Sequence, residues 1–189
     1  MKIKPTKKRG EVVIKVARQD EGLLAQSNVS PVPSPFSLKR ILVPIDFSEC
    51  SKKALRYAVP LAQQFNATVS LLYVIPANYP VGEFGMIDFA YFEKEMRLSG
   101  ERQLAELVKT EVGTKAAAQT RVRVGRPVAQ ILALAQEEDA DLLIVSTHGH
   151  TGLKHVLLGS VAENLVRYSP CPVLIVREHE HEFLKDLIE

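Results

Sequence analysis

The stretch Asp141–Ala162, DLLIVSTHGHTGLKHVLLGSVA, decides how the chain folds. It opens with the apolar run Leu142–Val145, which has no polar alternation and is typical of a strand buried on both faces of a parallel sheet. Gly149 and Gly152 follow in a loop, and a helical pattern begins after Gly159. The stretch therefore predicts a strand, a glycine-containing loop and a helix in succession.

The start of this helix has the features of an anion site. Ser160 stands three residues before Glu163, the spacing of a capping box, which predicts that Ser160 is the N-cap. Glycines let the backbone come close to a ligand, and the free N–H groups and dipole of a helix start favour an anion. Ordinary turn glycines and a stabilising cap would give the same pattern. The glycines by themselves leave both interpretations open.

The same stretch resembles the signature of the universal stress protein family, which is glycine, two residues, glycine, nine residues, then glycine with Ser or Thr. Gly149 and the pair Gly159-Ser160 match this spacing, and Ser146 stands in the place of the first glycine. The resemblance covers most of Lys39–Arg177, from an opening ILVPIDFSE to a closing CPVLIVR. It is similar to the single-domain, nucleotide-binding branch of that family.

Length and composition are those of one ordinary globular domain, with 189 residues, 46% of them hydrophobic and 24% charged. No apolar run approaches the ~20 residues of a membrane helix, and the basic N-terminus lacks the apolar segment of a secretory signal. Cys50 and Cys171 are too few and too far apart for a disulfide framework or a zinc site. We therefore expect a cytoplasmic protein with no membrane partner and no protein-bound metal.

The chain divides into three predicted segments. Residues 1–36 hold seven Lys or Arg against three Asp or Glu and end in the proline-rich PVPSP, which predicts a mostly disordered basic tail and linker. Glu11–Ala17 is its one candidate strand. Residues 37–178 form the universal stress protein-like domain, and 179–189 form a charged C-terminal segment. Because no aromatic residue interleaves the tail's charges, a solvated arm is favoured over a nucleic-acid contact.

Strands and helices alternate through the domain, which predicts a parallel sheet with right-handed crossovers. The predicted strands are Ile41–Ile45, Thr68–Ile75, Thr120–Val124, Asp141–Val145 and Pro172–Val176. The predicted helices are Ser48–Phe65, Asp88–Val112, Gly125–Glu137 and the one that starts at Ser160. Residues 77–87 are left unassigned.

The resemblance implies an open, Rossmann-like, five-stranded parallel sheet with helices on both faces and strand order 3-2-1-4-5. The residues agree independently, because the first and fourth strands are the most uniformly apolar and the third has Arg121 and Arg123 alternating with valines, as an edge strand does. The fifth strand, Pro172–Val176, is uncharged although this order places it at an edge, where it invites association. The resemblance implies that it pairs across a homodimer.

In an open α/β sheet, ligands bind where neighbouring connections leave in opposite directions, here between the first and fourth strands. The resemblance implies ATP as the ligand, with or without a Mg²⁺ or Mn²⁺ ion. The implied contacts are Pro44, Ile45, Asp46 and Val74 at the adenine and ribose, Ser146 at the first motif position, and Gly149, Gly159, Ser160 and Val161 at the phosphates. Asp46 could accept hydrogen bonds from the ligand or simply cap a turn. The Ser146 side chain could obstruct a phosphate or donate to it.

Three classes of function remain. The resemblance favours an ATP-binding regulatory module of the stress response that acts through nucleotide-dependent conformation and homodimerisation. The alternative is an interaction dimer of the same fold with an empty crevice. An enzyme is disfavoured beyond slow ATP hydrolysis, because the chain has neither a G-x-S-x-G nucleophile elbow nor a P-loop.

Overall fold

A computed structural model describes residues 2–5, 12–15, 37–77, 89–147 and 159–177. The chain forms two compact units, Met1–Ser37 and Leu38–Glu189. In the first unit, strand β1 (Lys2–Pro5) pairs antiparallel with strand β2 (Val12–Lys15). The β2 strand lies inside Glu11–Ala17, the one candidate strand of the tail, whereas β1 was not predicted. The C-terminal segment 179–189 and, except for residue 77, the unassigned stretch 77–87 lie outside the described residues.

The described part of the second unit alternates strands and helices as predicted. In chain order it contains β3 (Arg40–Pro44), α1 (Glu49–Phe65), β4 (Thr68–Pro76), α2 (Phe89–Leu107), a π-helical turn (Val108–Val112), β5 (Ala117–Gly125), α3 (Pro127–Glu137), β6 (Leu142–Ser146), α4 (Ser160–Tyr168) and β7 (Val173–Val176). The helix expected over Asp88–Val112 is therefore an α-helix that ends in a π-helical turn. No helix among these residues is both long and apolar enough to span a membrane.

The five strands β3–β7 form one parallel sheet in the order β5-β4-β3-β6-β7. This confirms the predicted order 3-2-1-4-5, with the arginine-bearing strand β5 at one edge and the uncharged β7 at the other. Pro44 at the end of β3 pairs with Leu72, so β4 continues beyond the end of its neighbour, through Pro76. This overhang of β4 forms a wall beside the carboxyl end of β3.

Helices cover both faces of the sheet because successive residues of each strand point to opposite sides. Ile41 and Val43 of β3 pack into a core with α1 and α2, whereas Leu42 between them packs into a second core with α3 and α4. Helix α1 begins as predicted after Ser48, whose hydroxyl oxygen accepts from the Ser51 N–H at 3.2 Å. The two cores fix the central strands β3 and β6 between helical layers.

Candidate functional site

A cavity of about 400 Å³ opens at the carboxyl ends of β3 and β6, and its size lies in the range of small-molecule sites. These two strands flank the point where the connections leave in opposite directions, the position expected for a ligand. The structure brings eight of the expected site residues to this cavity: Pro44, Ile45, Asp46, Val74, Ser146, Gly159, Ser160 and Val161. Gly149 lies outside the described residues.

Much of the cavity wall comes from residues that the sequence did not single out. Apart from Tyr73 they are mainly apolar, and they include Leu72 and Pro76 of β4, Pro127 and Ile131 of α3, Val145 of β6, and Ala162 and Leu165 of α4. Most are core residues whose outer ends reach the cavity. Only the register of β4 and the packing of α3 against α4 bring them there, and neither can be read from a sequence pattern.

The start of α4 differs from the prediction, because Gly159 and not Ser160 is the N-cap. Gly159 has an extended backbone (φ −67°, ψ 152°), and its carbonyl oxygen accepts from the Glu163 N–H at 2.9 Å. The Gly159 N–H is bonded to the carbonyl oxygen of Thr147 at 2.9 Å, which holds residue 159 outside the helix. The Glu163 side chain pairs with Arg167 at 3.2 Å, so no capping box forms.

Because Gly159 is the N-cap, the first turn of α4 has hydrogen-bond donors that could contact a ligand. The N–H groups of Ser160, Val161 and Ala162 have no intrahelical acceptor, as at every helix start. As the first helical residue, Ser160 does not cap the helix, and its hydroxyl makes no hydrogen bond within the described part of the chain. The described lining residues include no Lys or Arg. Attraction of an anion to this part of the wall therefore rests on backbone N–H groups, the helix dipole and one hydroxyl.

Gly159 is a glycine for a reason that involves no ligand. A Cβ on this residue would lie 2.8 Å from the carbonyl oxygen of Thr147, closer than real Cβ contacts allow. The chain leaves β6 at Thr147 and enters α4 at Gly159, and the two backbones touch at this point. Gly159, the last glycine of the matched motif, is therefore required by the fold itself.

Asp46 supports the turn after β3 and also lines the cavity. Its Oδ1 accepts from the Ser48 N–H at 3.0 Å and from the Ser48 hydroxyl at 2.5 Å. Between them, Phe47 has a left-handed backbone with φ 66°, a conformation that non-glycine residues rarely adopt. The turn role considered for Asp46 is thus present, and the same turn places the carboxylate at the cavity.

Tyr73 is the most informative residue that the sequence analysis missed. Its half-buried ring lines the cavity and lies 4.8 Å from the ring of Phe47, centroid to centroid. The ring also lies beside Gly100 of α2, where a Cβ would lie 2.6 Å from Cδ1 of Tyr73. Burial, and to a lesser degree the negative charge of Asp46, raises the pKa of the Tyr73 phenol. The phenol therefore stays protonated at neutral pH and can donate a hydrogen bond.

The side chains present suit a nucleotide better than a metal ion held by the protein. Asp46 is the single carboxylate among the described lining residues, and one of its oxygens already accepts from Ser48. The described residues contain no group of three His, Cys, Asp or Glu side chains that could hold a metal. Since Mg²⁺ commonly keeps its waters and binds through substrate phosphates, a divalent ion would enter with the nucleotide.

Comparison with known proteins matches this architecture to one family. The profile of the universal stress protein family matches residues 37–177. Universal stress protein MJ0531 of Methanocaldococcus jannaschii is 31% identical over 144 residues, which cover 76% of this chain and 85% of the relative. The solved structure of MJ0577 from the same organism is 33% identical with a TM-score of 0.64, covering 77% of this chain and 100% of that chain.

A universal stress protein solved in complex with cAMP is 27% identical with a TM-score of 0.55, and the match covers 75% of this chain and 98% of that one. The profile match extends over the whole sheet with its four helices, and the curated relative exceeds 30% identity over most of its own length. The chain belongs to the universal stress protein family.

Proposed function

We propose that this protein is a regulatory module of the stress response that binds an adenine nucleotide, with ATP as the expected ligand, in the cavity between β3 and β6. The observation that carries the proposal is the first turn of α4. Ser160, Val161 and Ala162, whose N–H groups have no intrahelical acceptor, line one side of a cavity that Asp46 lines as well. A relative that was solved with cAMP supports an adenine nucleotide in this fold.

Three groups of lining residues would contact three parts of the proposed ligand, which are the base, the ribose and the phosphates. The apolar side chains of Val74 and Ile131 could pack against the face of a base. Asp46 can accept hydrogen bonds from ribose hydroxyls or from the amino group of adenine. The N–H groups of Ser160–Ala162 and the Ser160 hydroxyl would receive the phosphates. A divalent ion bound with them would neutralise phosphate charge.

The chemistry of the wall supports binding more than turnover. Asp46 and Tyr73 are the titratable side chains among the described lining residues. The Asp46 carboxylate is engaged by Ser48, and the raised pKa of Tyr73 makes its phenol a poor base at neutral pH. We therefore expect slow hydrolysis at most, with the bound nucleotide acting as a signal.

We propose that the module acts as a homodimer joined through β7. Leu143 donates to the Pro172 carbonyl and Thr147 donates to the Val176 carbonyl, each at 3.0 Å. Because bonding groups alternate along a parallel strand, the N–H groups of Val173 and Ile175 face away from β6. An uncharged edge of this kind can pair with the same edge of a second copy. A cytoplasmic location is part of the proposal, since neither Cys50 nor Cys171 forms a disulfide.

One observation favours the interaction dimer with an empty crevice as a second candidate. The glycine at position 159 is explained by its contact with Thr147, so that part of the motif would persist without a nucleotide. Chromatography of the nucleotides that freshly purified protein releases on denaturation separates the two candidates. The proposed function predicts an adenine nucleotide in substantial yield, whereas protein that releases none and takes up none afterwards supports the empty dimer.

A further inference from the structure

Helix α2 carries a stripe of exposed residues at the spacing of a coiled-coil seam. The stripe consists of Tyr91, Glu95, Leu98, Arg102 and Ala105, spaced alternately by four and three residues. All five are exposed, and the exposed fraction is 63% for Tyr91 and 42% for Leu98. The opposite face of the helix packs on the sheet with buried Leu104 and Leu107. A 3-4 spacing is the pattern by which one helix packs along another.

The α2 stripe is complementary to itself when it is read in reverse. We infer that a second copy of this chain docks on it, with the two α2 helices antiparallel about a two-fold axis at Leu98. Residues before Leu98 in one copy then meet residues after Leu98 in the other. Glu95 comes within side-chain reach of Arg102 of the second copy, one residue beyond its own level, Tyr91 faces Ala105 of that copy, and the two Leu98 side chains meet at the axis. A two-fold contact requires this reciprocity, in which residue i meets j and j meets i.

The charges of the stripe are available for such pairing. Within the described part of the chain, Glu95 and Arg102 form no ion pair, although Arg97 of the same helix pairs with Glu93 at 3.5 Å. The Arg102 Nε donates to the Leu98 carbonyl oxygen at 3.2 Å, which holds the guanidinium beside Leu98. The antiparallel arrangement brings Glu95 of each copy near Arg102 of the other, on both sides of the axis.

The shape of the stripe fits the same arrangement. A shallow depression on α2 is lined by Glu95, Leu98, Glu101, Arg102 and Ala105. The small Ala105 lies in it, and the antiparallel register brings the ring of Tyr91 from the second copy to this position. Aromatic side chains that fill hollows are common anchors of protein interfaces, and the two Tyr91–Ala105 contacts would anchor the two ends of this one.

The position of α2 leaves the surface open in the proposed β7 dimer. Helix α2 packs on β4 and β5, at the opposite edge of the sheet from β7. The two contacts would therefore coexist and join dimers into larger assemblies. One helix from each copy makes a small interface, so we expect the association at high protein concentration. The inference does not depend on nucleotide binding.

Disulfide cross-linking tests the arrangement at its axis. Leu98→Cys places two thiols together at the two-fold axis, so mild oxidation should yield a covalent dimer. Gln103→Cys is the matched control, because residue 103 is exposed on the same helix but lies off the stripe. Both variants carry Cys50 and Cys171, which gives them the same background. Equal yields of cross-linked dimer from the two variants would overturn the inference.

Charge exchange tests the pairing across the axis. At high protein concentration, Arg102→Glu should reduce the mass of the sedimenting species to that of the smaller species that remains without the α2 contact. Adding Glu95→Arg to that variant should restore the larger mass, because the same pair is rebuilt with its charges exchanged. Thermal melts will show whether each variant is folded, which we expect since both side chains are exposed. A wild-type mass equal to that of Arg102→Glu, or a double variant that stays small, would contradict the inference.

Discussion

The backbone N–H of Gly159 donates to the carbonyl oxygen of Thr147 at 2.9 Å, and a Cβ on residue 159 would lie 2.8 Å from that same oxygen. This contact joins the end of β6 to the start of α4. It holds Gly159 extended, which makes Ser160 the first helical residue and places the first N–H groups of α4 at the cavity. The backbone position of Gly159 and the proposed anion site therefore depend on one backbone contact.

Gly159→Ala should destabilise the domain whether or not nucleotide is present. The added methyl group must push β6 and α4 apart, and overpacking of this kind costs about 1–3 kcal/mol in the free energy of unfolding. Denaturant unfolding of the apo protein measures the loss. A Gly159→Ala protein as stable as the wild type would show that the two backbones are not in tight contact. For this reason, a bulky substitution at residue 159 is a poor test of phosphate binding.

Ser160→Ala tests phosphate binding without the change in stability expected for Gly159→Ala. The Ser160 hydroxyl does not cap α4, so its loss should change the free energy of unfolding by less than about 0.5 kcal/mol. The same change should weaken ATP binding by roughly 1.5–3 kcal/mol, typical of a hydrogen bond to a charged group. Calorimetry and thermal melts on the one variant measure both quantities. Unchanged ATP affinity would remove Ser160 from the phosphate site.

Gly100→Ala should lower the free energy of unfolding when Tyr73 is present and raise it when Tyr73 is replaced by alanine. In the wild type the new Cβ would lie 2.6 Å from the Tyr73 ring, so we expect a loss of about 1–3 kcal/mol in the free energy of unfolding. In a Tyr73→Ala background that space is empty. Alanine should then stabilise the helix by up to about 1 kcal/mol over glycine. Destabilisation of similar size in both backgrounds would contradict the contact.

Tyr73 should make stability decline at alkaline pH. Its pKa in the folded protein is raised above the ordinary value of 10.0, chiefly by burial. The neutral phenol therefore contributes its full stabilisation below the ordinary pKa of 10.0. This stabilisation is lost as the pH rises through the raised pKa of the folded protein. Tyr73→Phe should reduce this loss of stability at alkaline pH. Subtracting the tyrosinate absorbance of Tyr73→Phe from that of the wild type should show one phenol that titrates above the ordinary pKa. If the missing phenol titrates at the ordinary value, the assignment fails.

Ile175→Pro should convert the proposed β7 dimer into monomers at low protein concentration. The Ile175 N–H faces away from β6, so proline removes a donor from the outer edge and leaves the β6 pairing in place. Ile175→Ala is the control, because it loses the same side-chain packing but keeps the N–H. Sedimentation should give a monomer for the first and a dimer for the second. Equal masses for the two would place the dimer contact elsewhere. Leu174→Lys is less suitable, because Leu174 packs on the core beside α1.

The sequence predicted most of the fold because the strands differ in how their side chains alternate. The uniformly apolar β3 and β6 are central, and Arg121 and Arg123 mark β5 as an edge strand, as the structure shows. In the structure, Arg123 pairs with Glu137 and Arg121 lies 3.2 Å from Glu138, which explains how an edge strand carries these side chains. Local patterns were sufficient here because burial in a sheet follows a period of two.

The errors of the prediction have tertiary causes. The N-cap of α4 moved from Ser160 to Gly159 because a bond to Thr147, twelve residues earlier, fixes the backbone there. Tyr73 joined the site because β4 extends past β3 and because Gly100 of α2 leaves room for its ring. Neither contact follows from the residues next to it in the chain. A cavity lies at the switch point, where the ligand was predicted to bind, while much of its wall depends on packing.

Calorimetric titration of nucleotide-free wild-type protein with ATP tests the central claim most directly. If the first turn of α4 and Asp46 form the site, heat will saturate at one ATP per chain. Asp46→Asn keeps an acceptor for the Ser48 N–H but removes the charge, so it should bind ATP more weakly by about 1–3 kcal/mol. Absence of any saturable heat at millimolar ATP, in protein shown to be folded and free of nucleotide, would contradict the claim.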